Sequence, residues 1–389
     1  MGGAVAYISL DSIRANLQAI RRRAGRGVSL CPAVKADAYG HGLALVLPVL
    51  ADEGVEQVAV AGLAEALEAR RLGWTGGILC FGAPLAGDSA AAEREHAETA
   101  VRAGVACTVS HPGELAAMAR AAQRLGRPAG VHVKVDTGMG RMGLLPEAAE
   151  EFILQAARQP GVRLAGVYTH FATADEPDPA FARRQLACFQ SLIAKLRTAG
   201  LADGVLFHCA NSAALFRMPE ARLDMVRPGL SLYGYWQEGG GPRPADLRPA
   251  MRVVSRLTAV RALPAGHGVG YGRSFVTARP SLIGVVPIGY GDGYRRGLGS
   301  RAVMSLEPVR DQARRIVPVV GRISMDQTTV DLTDAGDARV GDPVTVVDDN
   351  PASPHGVEAL ARLLDTIPYE VTCLITSRVP RRPAEETPR

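Results

Sequence analysis

Three lysines, Lys35, Lys134 and Lys195, stand among 44 basic side chains, which leaves 44 − 3 = 41 arginines. A chain that meets almost every need for positive charge with arginine keeps an amine at Lys35, in the stretch "CPAVKADAYGHG" (31–42). A guanidinium holds its proton. An amine can release it, act as a base, and condense with a carbonyl to form an imine. Imine formation is therefore the chemistry that Lys35 suggests. Other reactive side chains share its placement, each at or just past the end of an apolar run. They are Lys134 and Asp136 in "GVHVKVD", His170 in "RLAGVYTHF", Asn211 and Ser212 after "VLFHCA", and Arg227 and Gly229 in "LDMVRPG".

Those runs are the elements that must position the chemistry. Eight apolar stretches read as strands, over 30–36, 57–63, 77–82, 105–110, 130–136, 163–171, 205–210 and 223–229. Amphipathic stretches such as "AEALEARRLG" and "GELAAMARAAQRLG" separate them, the second closed by glycine. Strands apolar throughout suit a parallel sheet covered on both faces. Eight of them alternating with helices predict an α/β fold, an N-terminal (β/α)8 TIM barrel, with an open doubly wound sheet as the alternative. In a barrel of this type the active site lies at the C-terminal strand ends, where the reactive residues fall. After the Gly/Pro-rich stretch 238–249 the texture becomes alternating and β-rich, with one helix expected over 356–365. This divides the chain into a barrel over 11–240 and a C-terminal, mainly β domain over 241–389. The first ten residues are expected to pair with the second domain, and the tail 381–389 is expected to be disordered.

Two loops on the barrel rim add a second kind of chemistry. "NSAAL" and "RPGLSLYG" follow strands seven and eight, the loops from which barrels often build a phosphate cradle. Ser212 offers a hydroxyl, and Gly229 and Leu230 offer backbone N–H groups at close approach. An imine-forming lysine beside a phosphate cradle points to pyridoxal 5′-phosphate.

The chain resembles the bacterial alanine racemases, pyridoxal-phosphate enzymes built of a barrel and a β domain. The resemblance runs from "AYISLDSIRANL" to "IPYEVTCLITSRVPR" and rests on nine blocks in register: "AVKADAYGHG", "VDTGMGRMG", "THFATAD", "NSAA", "MVRPGLSLYG", "GVGYGRSF", "PIGYGDGYRRGL", "GRISMDQTTVD" and "IPYE". It implies that Lys35 is the Schiff-base lysine and that Tyr39 reaches the phosphate. Tyr271 is implied as a second base, facing the substrate Cα opposite Lys35. Arg227 would hydrogen-bond the cofactor ring nitrogen, and His170 would link Arg227 to Tyr271. Arg141 would lie near the cofactor's phenolic oxygen and the substrate carboxylate. Met325 and Asp326 would shape the carboxylate site, while Tyr290 and Tyr369 would line a narrow channel, Tyr369 also near the phosphate. The resemblance further implies a homodimer whose partner subunit supplies Tyr271, Met325 and Asp326. Lys134, set near the Arg141 cation, is expected to be carbamylated, as in some members of the family.

The expected activity is interconversion of L- and D-alanine, supplying D-alanine for peptidoglycan. Racemisation of serine or a broader set of amino acids is the rival within the class, because the chemistry acts at Cα. Decarboxylation on the same barrel type is disfavoured by Tyr271 and by arginine at the ring nitrogen. A bare pyridoxal-phosphate carrier would not need the β-domain blocks. No basic block is interleaved with aromatics, so no nucleic-acid partner is expected. The six cysteines lack CxxC spacing and no metal is expected. No window approaches the ~20 apolar residues of a membrane span and no signal peptide is apparent, so a cytoplasmic enzyme is expected.

Overall fold

Short β-branched runs and alanine-rich helices alternate through the first half of the chain, and the strands pair in the order in which they are made. In the computed structural model, which describes residues 3–83, 89–201, 203–237, 239, 241–307 and 313–384, β1 (Val5–Ile8) stands apart from this series. The next strand, β2 (Ser29–Leu30), is short. Then follow β3 (Gln57–Val60), β4 (Gly77–Cys80), β5 (Val105–Val109), β6 (Ala129–Lys134), β7 (Val162–Tyr168) and β8 (Leu206–His208), a six-stranded parallel sheet in sequential order. The last barrel strand, β9 (Met225–Val226), pairs in parallel with β2.

This two-stranded pair closes the ring on both sides. Val34 N–H donates to Ala59 O and Ala59 N–H to Pro32 O, both at 2.8 Å. On the other side Arg227 N–H donates to Ala210 O (2.9 Å) and Asp224 N–H to Phe207 O (3.1 Å). The eight expected strands are thus all present. The first and last are much shorter than expected, because their ends turn out of the ladder to build the site.

The helices follow from local sequence. Pro112–Leu125 begins with proline in its first turn and His111 Nδ1 accepting from Gly113 N–H, buries Leu115, Met118, Ala121 and Ala122, and ends at Gly126 with φ 59°. The helix that packs on the turn after the last barrel strand comes from the first residues of the chain. Leu10–Ala24 carries buried Asn16, whose amide donates to Leu232 O (3.0 Å) and Arg248 O (2.8 Å).

β1 lies antiparallel to β10 (Met251–Arg256), inside a six-stranded sheet of the C-terminal half. A three-stranded sheet of Ala259–Leu263, Ser281–Val286 and Thr328–Asp331 and a hairpin of Gly268–Val269 with Phe275–Val276 complete the β domain. The expected helix is Val357–Leu364, and a second, unexpected one, Pro368–Cys373, follows it. The expectation of a disordered tail needs correcting. Arg381–Pro383 forms an edge strand parallel to β1, because the Arg381 guanidinium donates to Gly40 O, Thr376 O, Val379 O and Ile375 O. Residues 385–389 of that tail, and 238 and 240 of the Gly/Pro-rich stretch, lie outside the described residues.

Candidate active site

Lys35 follows the abrupt end of the first barrel strand. There the backbone makes one left-handed helical turn, with φ of 52°, 52°, 55° and 54° at Ala36, Asp37, Ala38 and Tyr39. L-residues in this conformation cost roughly 1–2 kcal/mol each, so the surroundings must hold the turn. Glu65 accepts Ala36 N–H and Ala61 N–H, both at 2.7 Å, and Asp37 Oδ1 accepts Leu43 N–H at 2.7 Å. Gly40, at φ 80°, lies so close to the helix Pro368–Cys373 that a Cβ would come within 2.1 Å of Thr372 O. The lysine side chain is half-buried, its Nζ 5.8 Å from the Phe81 ring centroid. Burial and then the Arg141 cation push its pKa below the usual lysine range, with Glu65 and Cys373 opposing. A larger fraction of the amine is thereby neutral and nucleophilic.

Tyr39 leaves this turn into a buried aromatic stack, 5.1 Å from the Tyr233 ring and 5.7 Å from the Tyr369 ring. Its hydroxyl lies against Gly229, where a Cβ would come within 2.5 Å of Tyr39 Oη. Ser212 Oγ accepts Gly229 N–H (2.9 Å) and Ser231 N–H (3.1 Å), and Ser231 Oγ–H donates to it as well (3.1 Å). Asn211 caps the following helix, its Oδ1 accepting Ala214 N–H (2.9 Å), and Leu230 begins the turn Leu230–Tyr233. Tyr39, Ser212, Gly229 and Tyr369 thus converge on one concave spot. His41 is a support: buried, it stacks on Tyr233 at 4.4 Å and donates through Nδ1 to the Ala38 and Tyr39 carbonyls.

The tightness at Gly229 yields an expected result. Gly229→Ala drives a methyl into a tyrosine hydroxyl held between two rings, so Tyr39 must leave the cradle. On the expectation that this cradle takes the phosphate of pyridoxal phosphate, the loss of one charge-assisted hydrogen bond, together with the displacement, should raise that cofactor's dissociation constant by about tenfold or more. Fluorescence titration of the cofactor-free variant measures it, and unchanged affinity would exclude this cradle.

Arg227 is buried and richly held. Its Nη1 donates to His208 Nδ1 (2.6 Å), and its Nη2 donates to Thr169 O (2.9 Å), Cys209 O (3.2 Å) and, more weakly, His170 Nδ1 (3.4 Å). Burial and then Arg227 push the His170 imidazole down to about 3, so it is neutral and able to accept. Lys134 is also buried and donates from Nζ to Met142 O at 2.6 Å. Asp136 Oδ1 and Oδ2 accept the N–H groups of Gly138, Met139 and Gly140 at 2.7–2.9 Å, which shapes the loop bearing Arg141. Arg141 itself is exposed, and its charge reaches Lys35, Lys134 and His170.

The remaining residues gather elsewhere. Tyr271 is 69% exposed at the tip of the β-domain hairpin and, among the described residues, has no hydrogen bond or ring contact. Tyr290 (41%) and Met325 (52%) are also exposed. They are neighbours, since Tyr290 N–H donates to Ser324 O (3.1 Å) and Gly291 N–H to Met325 O (2.8 Å). Arg378 locks this surface, donating to Asp326 Oδ1 (2.7 Å) and Asp292 Oδ1 (3.0 Å). Among the described residues no hydrogen bond or ring contact joins Tyr290 to Tyr369: Tyr369 stacks toward Tyr39 in the barrel cradle, and Tyr290 is exposed on the β domain.

The sequence reading missed Glu65, Arg378, His132 and His208. The signal for the histidines was available, because His132 and Lys134 occupy alternate positions of one strand and so share a face. Among the described residues no three His, Cys, Asp or Glu side chains gather as a metal ion would need, and no helix is long and apolar enough to cross a membrane.

A closed parallel barrel with a lysine just past a strand end, a cradle of Tyr39, Ser212 and Gly229, and an attached β domain is an architecture that fits an amino-acid racemase. Residues 8–237 match the family model described as "Alanine racemase, N-terminal domain", and residues 250–383 match "Alanine racemase, C-terminal domain". The chain belongs to the alanine racemase family. Alanine racemase 2 of Caldanaerobacter subterraneus subsp. tengcongensis is 38% identical over 96% of this chain and 93% of the relative. The alanine racemase of Desulfosudis oleivorans is 39% identical over 97% and 95%. The crystal structure of alanine racemase from D-cycloserine-producing Streptomyces lavendulae superposes with a TM-score of 0.89 at 35% identity, covering 100% of this chain and 98% of that one.

Proposed function

We propose that the protein is a pyridoxal-phosphate-dependent racemase that interconverts L- and D-alanine and supplies D-alanine for peptidoglycan. The observation that carries this reading is the conjunction of Lys35 with the cradle of Tyr39, Ser212 and Gly229. When bound there, pyridoxal phosphate withdraws electrons from the substrate Cα and acidifies its hydrogen. Lys35 holds the cofactor. Tyr39, Asn211, Ser212, Gly229, Leu230 and Tyr369 hold its phosphate. Arg227 donates to the ring nitrogen, and since guanidinium does not give up its proton, that nitrogen stays unprotonated. His170 passes Arg227's influence to Tyr271.

Lys35 and Tyr271 then serve opposite faces of one Cα, one removing the proton and the other returning it. Arg141, Met325, Asp326 and Tyr290 orient the substrate carboxylate and narrow the approach. The working molecule is a cytoplasmic homodimer. Its units are a barrel over 11–240 and a β domain over 241–389, with the first ten residues counted in the second. Supplying either enantiomer of alanine in deuterated water should give both enantiomers with deuterium at Cα. An amine product, or no change in chirality, would overturn the assignment.

Lys134 acts as a carbamate that orients Arg141. Burial and then the Arg141 and Arg227 cations push its pKa down to about 8, with Asp136 opposing. Only a neutral amine adds CO₂, and an ordinary lysine titrates near about 10.4. The adduct should therefore accumulate as pH rises through 8 and be lost as pH falls below it. With ¹³C-bicarbonate, a carbamate carbon on Lys134 is expected by NMR. An unmodified amine under those conditions would refute it.

A further inference from the structure

Arg227 has a second neighbour on the side away from His170. His208 Nδ1 takes its Nη1 hydrogen at 2.6 Å, and His208 Nε2 lies 2.9 Å from His132 Nδ1. All three side chains are buried. His208 also stacks on Tyr168 at 4.9 Å and 7°, with Tyr168 Oη 2.9 Å from Thr108 Oγ1. The Arg227 guanidinium lies 5.1 Å from the same Tyr168 ring. Beyond His132, a cavity of about 280 Å³ opens beside Arg163 and Leu206.

The tautomers follow from one fact: a guanidinium only donates. His208 Nδ1 must therefore carry the lone pair, and a neutral His208 bears its proton on Nε2. That proton points at His132 Nδ1, which must in turn be bare, so His132 bears its own proton on Nε2. A protonated His208 would set N–H against N–H at 2.6 Å. Burial first, then the Arg227 charge, holds both rings neutral, His132 down to about 3. Arg227 thus has Nη1 fixed by an oriented lone pair and Nη2 fixed by two carbonyls. Its remaining donors are set in place before any cofactor arrives.

We propose that His208, oriented by His132, is a positioning residue that fixes Arg227 toward the cofactor ring nitrogen. This rests on the functional reading above for its chemistry, but the tautomers can be read without turnover. ¹⁵N NMR of the cofactor-free protein should show a bare Nδ1 and a protonated Nε2 on His208. A proton on His208 Nδ1 would overturn the proposal.

In the loaded enzyme, His208→Phe keeps the stack on Tyr168 but removes the acceptor. The expectation is a fall in kcat of about 30-fold, equivalent to about 2 kcal/mol, with KM changed less than threefold and the visible cofactor band shifted. His208→Asn, whose Oδ1 can stand at the Nδ1 position, should recover most of the loss. The decisive arm uses the cofactor analogue with carbon in place of the ring nitrogen: with it, wild type and His208→Phe should turn over alike. An unchanged kcat and spectrum in His208→Phe, or a 30-fold loss that persists with the analogue, would refute the proposal. A wild-type protein that does not racemise would instead refute the functional reading and leave the tautomers to decide this one.

Discussion

Lys35→Ala should lower racemisation by on the order of 10⁴-fold, the upper range for removing a positioned acid–base group. Borohydride reduction of the wild-type holoenzyme should attach the cofactor to the peptide containing Lys35 and to no other. The physical reason is selectivity among three amines. Lys195 is exposed in the last turn of the helix Ala180–Thr198, so its side chain is solvated. Lys134 is buried but already donates to Met142 O. Lys35 alone combines a half-buried position and a depressed pKa with a neighbouring cradle at Tyr39 and Gly229. An amine more readily neutral than an ordinary lysine, beside the proposed phosphate cradle, would favour condensation with the cofactor's aldehyde there. Cofactor on the Lys134 or Lys195 peptide would refute this assignment, and wild-type activity in Lys35→Ala would remove the lysine from the mechanism.

The barrel was legible in the sequence because its strands are apolar on both faces and separated by glycine-closed helices, a pattern that comes from burial alone. The placement of Lys35, Lys134, Arg227 and Ser212 at strand ends was legible for the same reason. The left-handed turn after Lys35 was not. Neither alanine nor tyrosine favours positive φ, and the turn exists because Asp37 braces it locally and Glu65 and the helix Pro368–Cys373 hold it from distant parts of the chain. His132 and His208 sit inside apolar strands and resemble satisfied core residues until their mutual distance is known. Arg381 illustrates the same limit at the other end of the chain. In a proline- and charge-rich tail it reads as solvated, yet its fork of donors meets four carbonyls and makes an edge strand.

The division of labour between the two halves explains why the exposed residues matter. Tyr271, Tyr290 and Met325 are large, apolar-bodied side chains that the β domain leaves exposed, Tyr290 and Met325 side by side, and exposed groups of this kind mark interaction surfaces. The barrel cradle, in contrast, holds its own tyrosines, Tyr39 and Tyr369, packed against each other. One half presents the buried aromatic cradle and the other presents Tyr271 exposed at a hairpin tip, which is the arrangement the proposed two-base reaction would need a second subunit to complete.

Co-expression of Lys35→Ala and Tyr271→Phe chains, each nearly inactive as a homodimer, should restore about a quarter of wild-type activity. The reasoning is geometric. Two bases must face opposite sides of one Cα, and within a single chain Tyr271 is exposed, with no contact to Lys35, His170 or Arg227 among the described residues. A two-fold dimer that lays each β domain over the partner's barrel mouth brings the bases together and makes both sites at once. In a mixed dimer one site then carries both defects and the other carries neither. Random association makes half of the dimers mixed, and half of their sites are intact. Purification of the mixed dimer through two different affinity tags should double the recovered activity, to about half of wild type. A purified mixed dimer as inactive as its parents would require Lys35 and Tyr271 to act from the same chain, and the shared site would fail.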